Sequence, residues 1–249
     1  AYRSETEAVY EDEKHVADYD LKRTEAWVDF GIQLRRYAEL RAGPVWGTGR
    51  AEVETGATNL PTVEADYAGW KIGLIVDRQD RTLFAREGYY LSVDGVSADA
   101  GWGGDVDFDK LSGTFRKFQS FGDHTFTVGL QGGTGFGDEL PTFAQFKLGG
   151  PFSFAGLAEG QFRGSCLGVA SLGYSYRLLQ LPAQLGKGIY ALSRVDVGNV
   201  WATDFDEDDL RYGGAVGLGA DLSIGPLYVA YGRADEGYDC FYFSLGTVF

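Results

Sequence analysis

The chain alternates. In EAWVDFGIQL (25–34), Ala26, Val28, Phe30, Ile32 and Leu34 fall on one side of an extended backbone, with Glu25, Trp27, Asp29, Gly31 and Gln33 on the other. Side chains that change face at every residue mark a β-strand and do not fit a helix. HTFTVGLQ (124–131), GIYALSRVDVGNV (188–200) and AVGLGADL (215–222) repeat the pattern, and no stretch carries a comparable helical period. The last twelve residues, YDCFYFSLGTVF, set Phe241, Phe243, Leu245, Thr247 and Phe249 against Tyr242, Ser244, Gly246 and Val248.

The alternating runs are long, about 10 to 14 residues, whereas strands of soluble proteins average about 5 or 6 and a strand crossing hydrocarbon needs about 9 to 11. One face is apolar; the other carries Gly, Ser, Thr and single charges, which suits a wet or side-chain-filled interior. Connections alternate in length. Short ones fall at 35–39, 120–124 and 223–226, and long acidic or Gly-rich ones at 11–21, 56–63, 101–107, 203–210 and 234–239, with the longest at 136–165. Short turns at one end and long loops at the other are the pattern of an outer-membrane barrel. The expectation is therefore an all-β protein, one antiparallel transmembrane barrel of about twelve strands over residues 1–249, in the outer membrane of a Gram-negative bacterium. The outward row Phe241, Phe243 and Phe249 would face lipid and serve as the C-terminal assembly signal. A soluble β-sandwich also alternates, but it needs shorter strands and fewer glycines on its polar face.

Composition removes other classes. No apolar run reaches the about 18 residues of a transmembrane helix. A net charge of −14 opposes nucleic-acid binding, since a phosphate backbone must be met by Lys and Arg. No Ser stands in a G-x-S-x-G setting, and H-E-x-x-H and P-loop motifs are absent, so no enzymatic chemistry, cofactor or metal site is expected. The acidic run DFDEDD (204–209) could meet lipopolysaccharide through divalent ions, or be a solvated loop. Asp29, Arg194, Asp196 and Asp221 are expected to face the lumen, where a salt bridge from Arg163 to Asp196 could form. The five tryptophans read as girdle or wall residues. Cys166 and Cys240 fall near the extracellular ends of their strands, where an oxidising setting would permit a disulfide, although those strands are not neighbours.

Three stretches, FKLGGPFSFAGLAEGQFRGSCLGVASLGYSYRLL (146–179), YALSRVDVGNVW (190–201) and GLGADLSIGPLYVAYGRADEGYDCFYFSLGTVF (217–249), resemble the barrel of the BamA-like outer-membrane superfamily. VDRQDRTLFAREGYYLSV (76–93) resembles one of its periplasmic turns. The likeness is greatest to the patatin-like autotransporter branch (PlpD-type, type V secretion). It implies a translocator and anchor for a lipolytic passenger domain, inserted by the barrel assembly machinery and surrounded by outer-membrane lipids and lipopolysaccharide. It also implies that residues 136–165 fold into the lumen, so that Gly156, Arg163, Gly164, Arg194 and Asp196 become plug and lumen residues. The family barrel has about sixteen strands. Those before the long loop are too few here, so the chain reads as a fragment of a longer one or as a barrel deliberately shortened to twelve strands, with a plain water-filled pore as the alternative. Assembly factors of the superfamily carry Arg-Gly in the inserted loop. Ala155 and Gly156 stand there in this chain, which argues against an assembly or insertion factor.

Overall fold

The computed structural model describes residues 2–11, 14–56, 63–82, 84–182 and 184–246, with side chains excepted at 2–21 and 51–63. Its strands are β1 (Tyr2–Glu11), β2 (Lys14–Trp27), β3 (Phe30–Leu34), β4 (Ala38–Gly56), β5 (Val63–Asp77), β6 (Gly88–Ala98), β7 (Phe108–Phe121), β8 (His124–Thr134), β9 (Phe146–Leu148), β10 (Phe162–Gly164), β11 (Cys166–Gln180), β12 (Gly186–Trp201), β13 (Arg211–Leu222), β14 (Gly225–Ala234) and β15 (Asp239–Leu245). One antiparallel meander runs β1-β2-β4-β5-β6-β7-β8-β11-β12-β13-β14-β15, with β3 beside β4 and the β9–β10 hairpin apart from it.

β2 and β3 make one wall strand. Trp27 pairs with Val45 and Phe30 with Ala42, in a single register. The ladder lapses where Val28 lies opposite Pro44, which has no N–H to donate; the Val28 N–H still reaches the Pro44 carbonyl at 3.2 Å. The wall is thus twelve strands wide, as the alternation predicts. One expected loop is corrected. Residues 14–21 belong to β2, which pairs with β1 from Thr24 down to Lys14 and with β4 from Trp27 to Ala17. Their charged sequence reads as loop because the pairing that makes them a strand, with β1 on one side and β4 on the other, is not written in local composition.

Burial separates the two faces. On β12, Val195 is 57% exposed and Asp196 is 4% exposed. On β15, Phe241, Phe243 and Leu245 are exposed while Tyr242 is buried. Phe126, Val128 and Leu130 of β8, Leu172 of β11, and Val216 and Leu218 of β13 extend the exposed apolar row around the wall. So much contiguous apolar surface marks a face that water does not cover. Phe249 lies outside the described residues.

Residues 135–165, between β8 and β11, touch β4, β5, β7 and β8 on one side and β12 to β15 on the other. A sheet can meet one loop on both sides only by wrapping round it, so this is a barrel wall. Among the described residues no pairing joins β15 to β1. Within the described residues the barrel wall is therefore open between β15 and β1. At the end with the short turns, the 78–87 connection reaches inward as well. Phe84, at φ +48°, stacks on Tyr190 of β12 with centroids 4.9 Å apart. Asp80 organises this turn by accepting from the Arg86 and Glu87 amides at 2.8 and 3.1 Å.

Candidate functional site

The loop 135–165 is a plug with two anchorages. The first is aromatic. Phe143 stacks on Tyr67 of β5 at 5.5 Å, and both rings meet Phe108 of β7 edge-on. A Cβ added at Gly49 of β4 would lie 2.3 Å from the Phe143 ring, and one at Gly133 of β8 would lie 2.4 Å from Phe146. These wall glycines are sockets for the plug's rings. Lys110 of β7 lies over the Phe146 ring at 4.3 Å and donates to the Ala144 carbonyl. Tyr67 is buried and donates to Glu25, which also holds Arg23 at 2.6 Å. A buried Tyr hydroxyl needs such a partner.

The second anchorage is polar and built on β12 to β15. Asp196 accepts the Ala155 amide at 2.9 Å through one carboxylate oxygen and Arg194 Nε at 2.6 Å through the other. The Arg194 guanidinium then donates to the Ser153 carbonyl at 2.6 Å, to Ser171 Oγ at 3.0 Å and to the Pro151 carbonyl at 3.3 Å. Arg194 and Asp196 stand two apart on β12, so period-2 geometry puts both on the inner face. The Asp196 carboxylate is fully buried, and a buried charge is tolerated when it is paired and its remaining lone pairs are used. Tyr242 of β15 accepts the Gly156 amide at 2.8 Å and donates to the Leu157 carbonyl at 2.7 Å. Phe154 sits against Gly213 of β13, where a Cβ would approach its ring to 2.7 Å.

Gly156 packs directly against the backbone of β14. Its φ is +92°, and a Cβ there would lie 2.3 Å from the Ala234 nitrogen. Gly164, at the plug's exit, passes equally close to the wall: a Cβ would lie 2.1 Å from the Trp201 carbonyl oxygen.

The expected site residues divide. Gly156, Arg194 and Asp196 come together in the polar anchorage. Arg163 does not reach Asp196, whose guanidinium partner is Arg194; Arg163 instead donates to Thr142 within the plug at 3.5 Å. Asp29 lines an inner cavity of about 200 Å³ with Trp27, Glu39, Arg41, Lys71 and Asp94, and Asp221 pairs with Lys187 at 3.6 Å. The acidic run 204–209 is an exposed loop, in which the Asp209 carboxylate accepts from Asn199 at 3.0 Å. Cys166 and Cys240 are both free, on β11 and β15 with three strands between them, so the disulfide that the oxidising setting would permit is not formed. Alkylation of the denatured protein should add two labels whether or not reductant is present; two fewer labels without reductant would contradict this.

Sequence reading missed Tyr242, Tyr67, Lys110, Phe143 and Phe146. Tyr242 had a signal, because alternation against Phe241 and Phe243 turns its hydroxyl inward. Phe143 and Phe146 had one too: aromatic residues inside a long polar loop need something to cover them.

The family model described as Omp85 superfamily domain matches residues 1–249. No curated protein matches the chain. Among solved structures, it is similar to BamA from Haemophilus ducreyi lacking POTRA domains 1–3, at 17% identity and TM-score 0.71, over 92% of this chain and 53% of that one. It is similar to CdiB from Escherichia coli at 15% identity and TM-score 0.63, over 92% and 44%. CdiB from Acinetobacter baumannii gives 14% and 0.62, over 97% and 44%. The chain thus spans about half the length of the solved proteins it matches, and at these identities the likeness is one of fold.

Proposed function

We propose a function on one firm premise: the chain belongs to the Omp85 superfamily. It is the plugged barrel of an outer-membrane translocator in a Gram-negative bacterium, with no bond-making chemistry of its own. The observation that carries this reading is the pairing of an apolar outer row with a plug hydrogen-bonded to the inner wall through Arg194, Asp196 and Tyr242. The outer row matches hydrocarbon, where backbone polar groups must be paired within the sheet. The plug keeps the lumen from being a free water path, and its undocking would open one. The finer role is that of anchor and translocator for a lipolytic passenger, on the resemblance of 76–93 and 146–249 to patatin-like autotransporters. Outer-membrane lipids, lipopolysaccharide and the barrel assembly machinery are its partners.

In planar bilayers the protein should stay closed or flicker briefly. A steady open state from the first recordings would favour a plain pore. The lipid-facing assignment makes its own prediction. Val195→Arg should cost about 2–4 kcal/mol in bilayers, the cost of a cation on the lipid face near the midplane. It sits between two inward charges, so a slip of one residue in register would remove the penalty. Unfolding in lipid vesicles checks it, and a loss below about 1 kcal/mol, the interfacial value, would count against burial in hydrocarbon.

A further inference from the structure

β15 is an edge of the wall: it pairs with β14, and among the described residues nothing pairs with its other side. Its inward residue Tyr242 is 6% exposed, and its single hydroxyl serves two consecutive plug residues, accepting from Gly156 and donating to Leu157. The approach is close throughout. A Cβ on Gly232 of β14 would lie 2.6 Å from the Gly156 nitrogen and 3.0 Å from the Tyr242 ring. The plug backbone therefore lies directly on β14 beside the Tyr242 ring, without intervening side chains. Leu157 is wholly buried at this point. On the plug's other flank the neighbouring residue, Ala155, is bound to Asp196 of β12. Three successive residues, 155 to 157, thus tie β12 to the edge strand three places away.

We propose that Tyr242 is a positioning residue that latches the edge strand to the plug, so that undocking of the plug and displacement of β15 are one event. This rests on reading 136–165 as a movable plug. The latch acts through hydrogen bonds rather than packing. The ring of Phe would fill the same space and leave the Gly156 amide without a partner, while the Leu157 carbonyl would keep only the Gly150 N–H at 3.0 Å. Among the described residues β15 is held by its ladder to β14 and by these contacts to the plug, and each hydrogen bond of ordinary net strength adds to that hold.

Hydrogen exchange of the folded protein in micelles, read by mass spectrometry on peptides covering 153–158 and 239–245, tests this. Tyr242→Phe should speed exchange of both peptides together, by roughly fivefold, the factor that one net hydrogen bond of ordinary strength is worth. Ser244→Ala, on the same inner face, should change neither. Asp196→Asn, which loosens the plug at β12 without touching β15, should speed exchange in 239–245 in the wild-type background. It should not add to it once Tyr242 is Phe. Exchange in 239–245 that is indifferent to Asp196→Asn, or Tyr242→Phe affecting β15 alone, would overturn the latch and leave Tyr242 a local contact. Conductance reads the translocator proposal separately: an open pore with joint exchange intact would sink the translocator and keep the latch.

Discussion

Asp196→Ala should release the plug and destabilise the protein by about 3–5 kcal/mol, the cost of removing one partner from a buried ion pair. The size follows from what is left behind. Arg194 would remain in the wall with its Nε donor unpaired, and the buried Ala155 amide would lose its acceptor. A buried unmet amide alone costs about 1–3 kcal/mol. The guanidinium would still hold the Ser153 and Pro151 carbonyls, so the plug should loosen at 155–157 first. Asp196→Asn separates charge from geometry. It keeps an acceptor for Ala155 and loses the ion pair, so its cost should fall between wild type and Ala. Denaturant unfolding in micelles gives the energies, and bilayer recordings give the release. In those recordings the Ala variant should show long open intervals, and the Asn variant shorter ones. Equal stability of all three proteins would mean that the carboxylate does not anchor the plug.

Gly156→Ala is the second large effect, and it comes from space and backbone together. A residue other than glycine at φ +92° is strained, at roughly 1–3 kcal/mol. The new methyl would also meet the Ala234 nitrogen and the Arg233 carbonyl carbon at 2.3 Å, and backbone in a paired strand cannot step aside. Overpacking adds about 1–3 kcal/mol. Either the plug lifts from β14 or β13 and β14 part. Gly103→Ala is the control: its φ is +100°, but a Cβ there meets nothing within 4 Å, so it carries the strain without the clash. The difference between the two variants, measured by unfolding in micelles, isolates the close approach. Gly156→Ala no worse than Gly103→Ala would mean that the plug does not sit on the wall where the structure places it.

The wall was legible from the chain because a strand writes its two faces residue by residue. Alternation placed Val195 outside and Arg194 and Asp196 inside, and it placed Phe241 and Phe243 outside. The ends of strands were less legible. Residues 14–21 follow the charged run Glu11–Lys14 and read as part of a loop, although they pair with both β1 and β4. The plug's location followed from loop length and resemblance, but its chemistry did not. Arg163 looked like the partner of Asp196 because it is the plug's own guanidinium. The structure gives that role to Arg194, two residues from the acid on the same strand, so the wall reaches out to hold the loop's carbonyls. Pairings between a loop and a wall depend on where a chain without periodicity crosses the interior, and that path is fixed by contacts such as Phe143 on Tyr67 and Phe154 on Gly213.

The central claim is that a lipid-facing wall encloses a docked plug. Spin labels placed one at a time at Val195, Val216, Phe241 and Ser153, with Cys166 and Cys240 replaced by Ser and the protein in lipid vesicles, test it most directly. The labels at Val195, Val216 and Phe241 should collide with oxygen and be sheltered from a water-soluble nickel chelate, while the Ser153 label should be sheltered from both. A chelate that reaches the Val195 and Phe241 labels as freely as one in water would put the apolar row outside any membrane. A chelate that reaches Ser153 freely would put the plug outside the lumen.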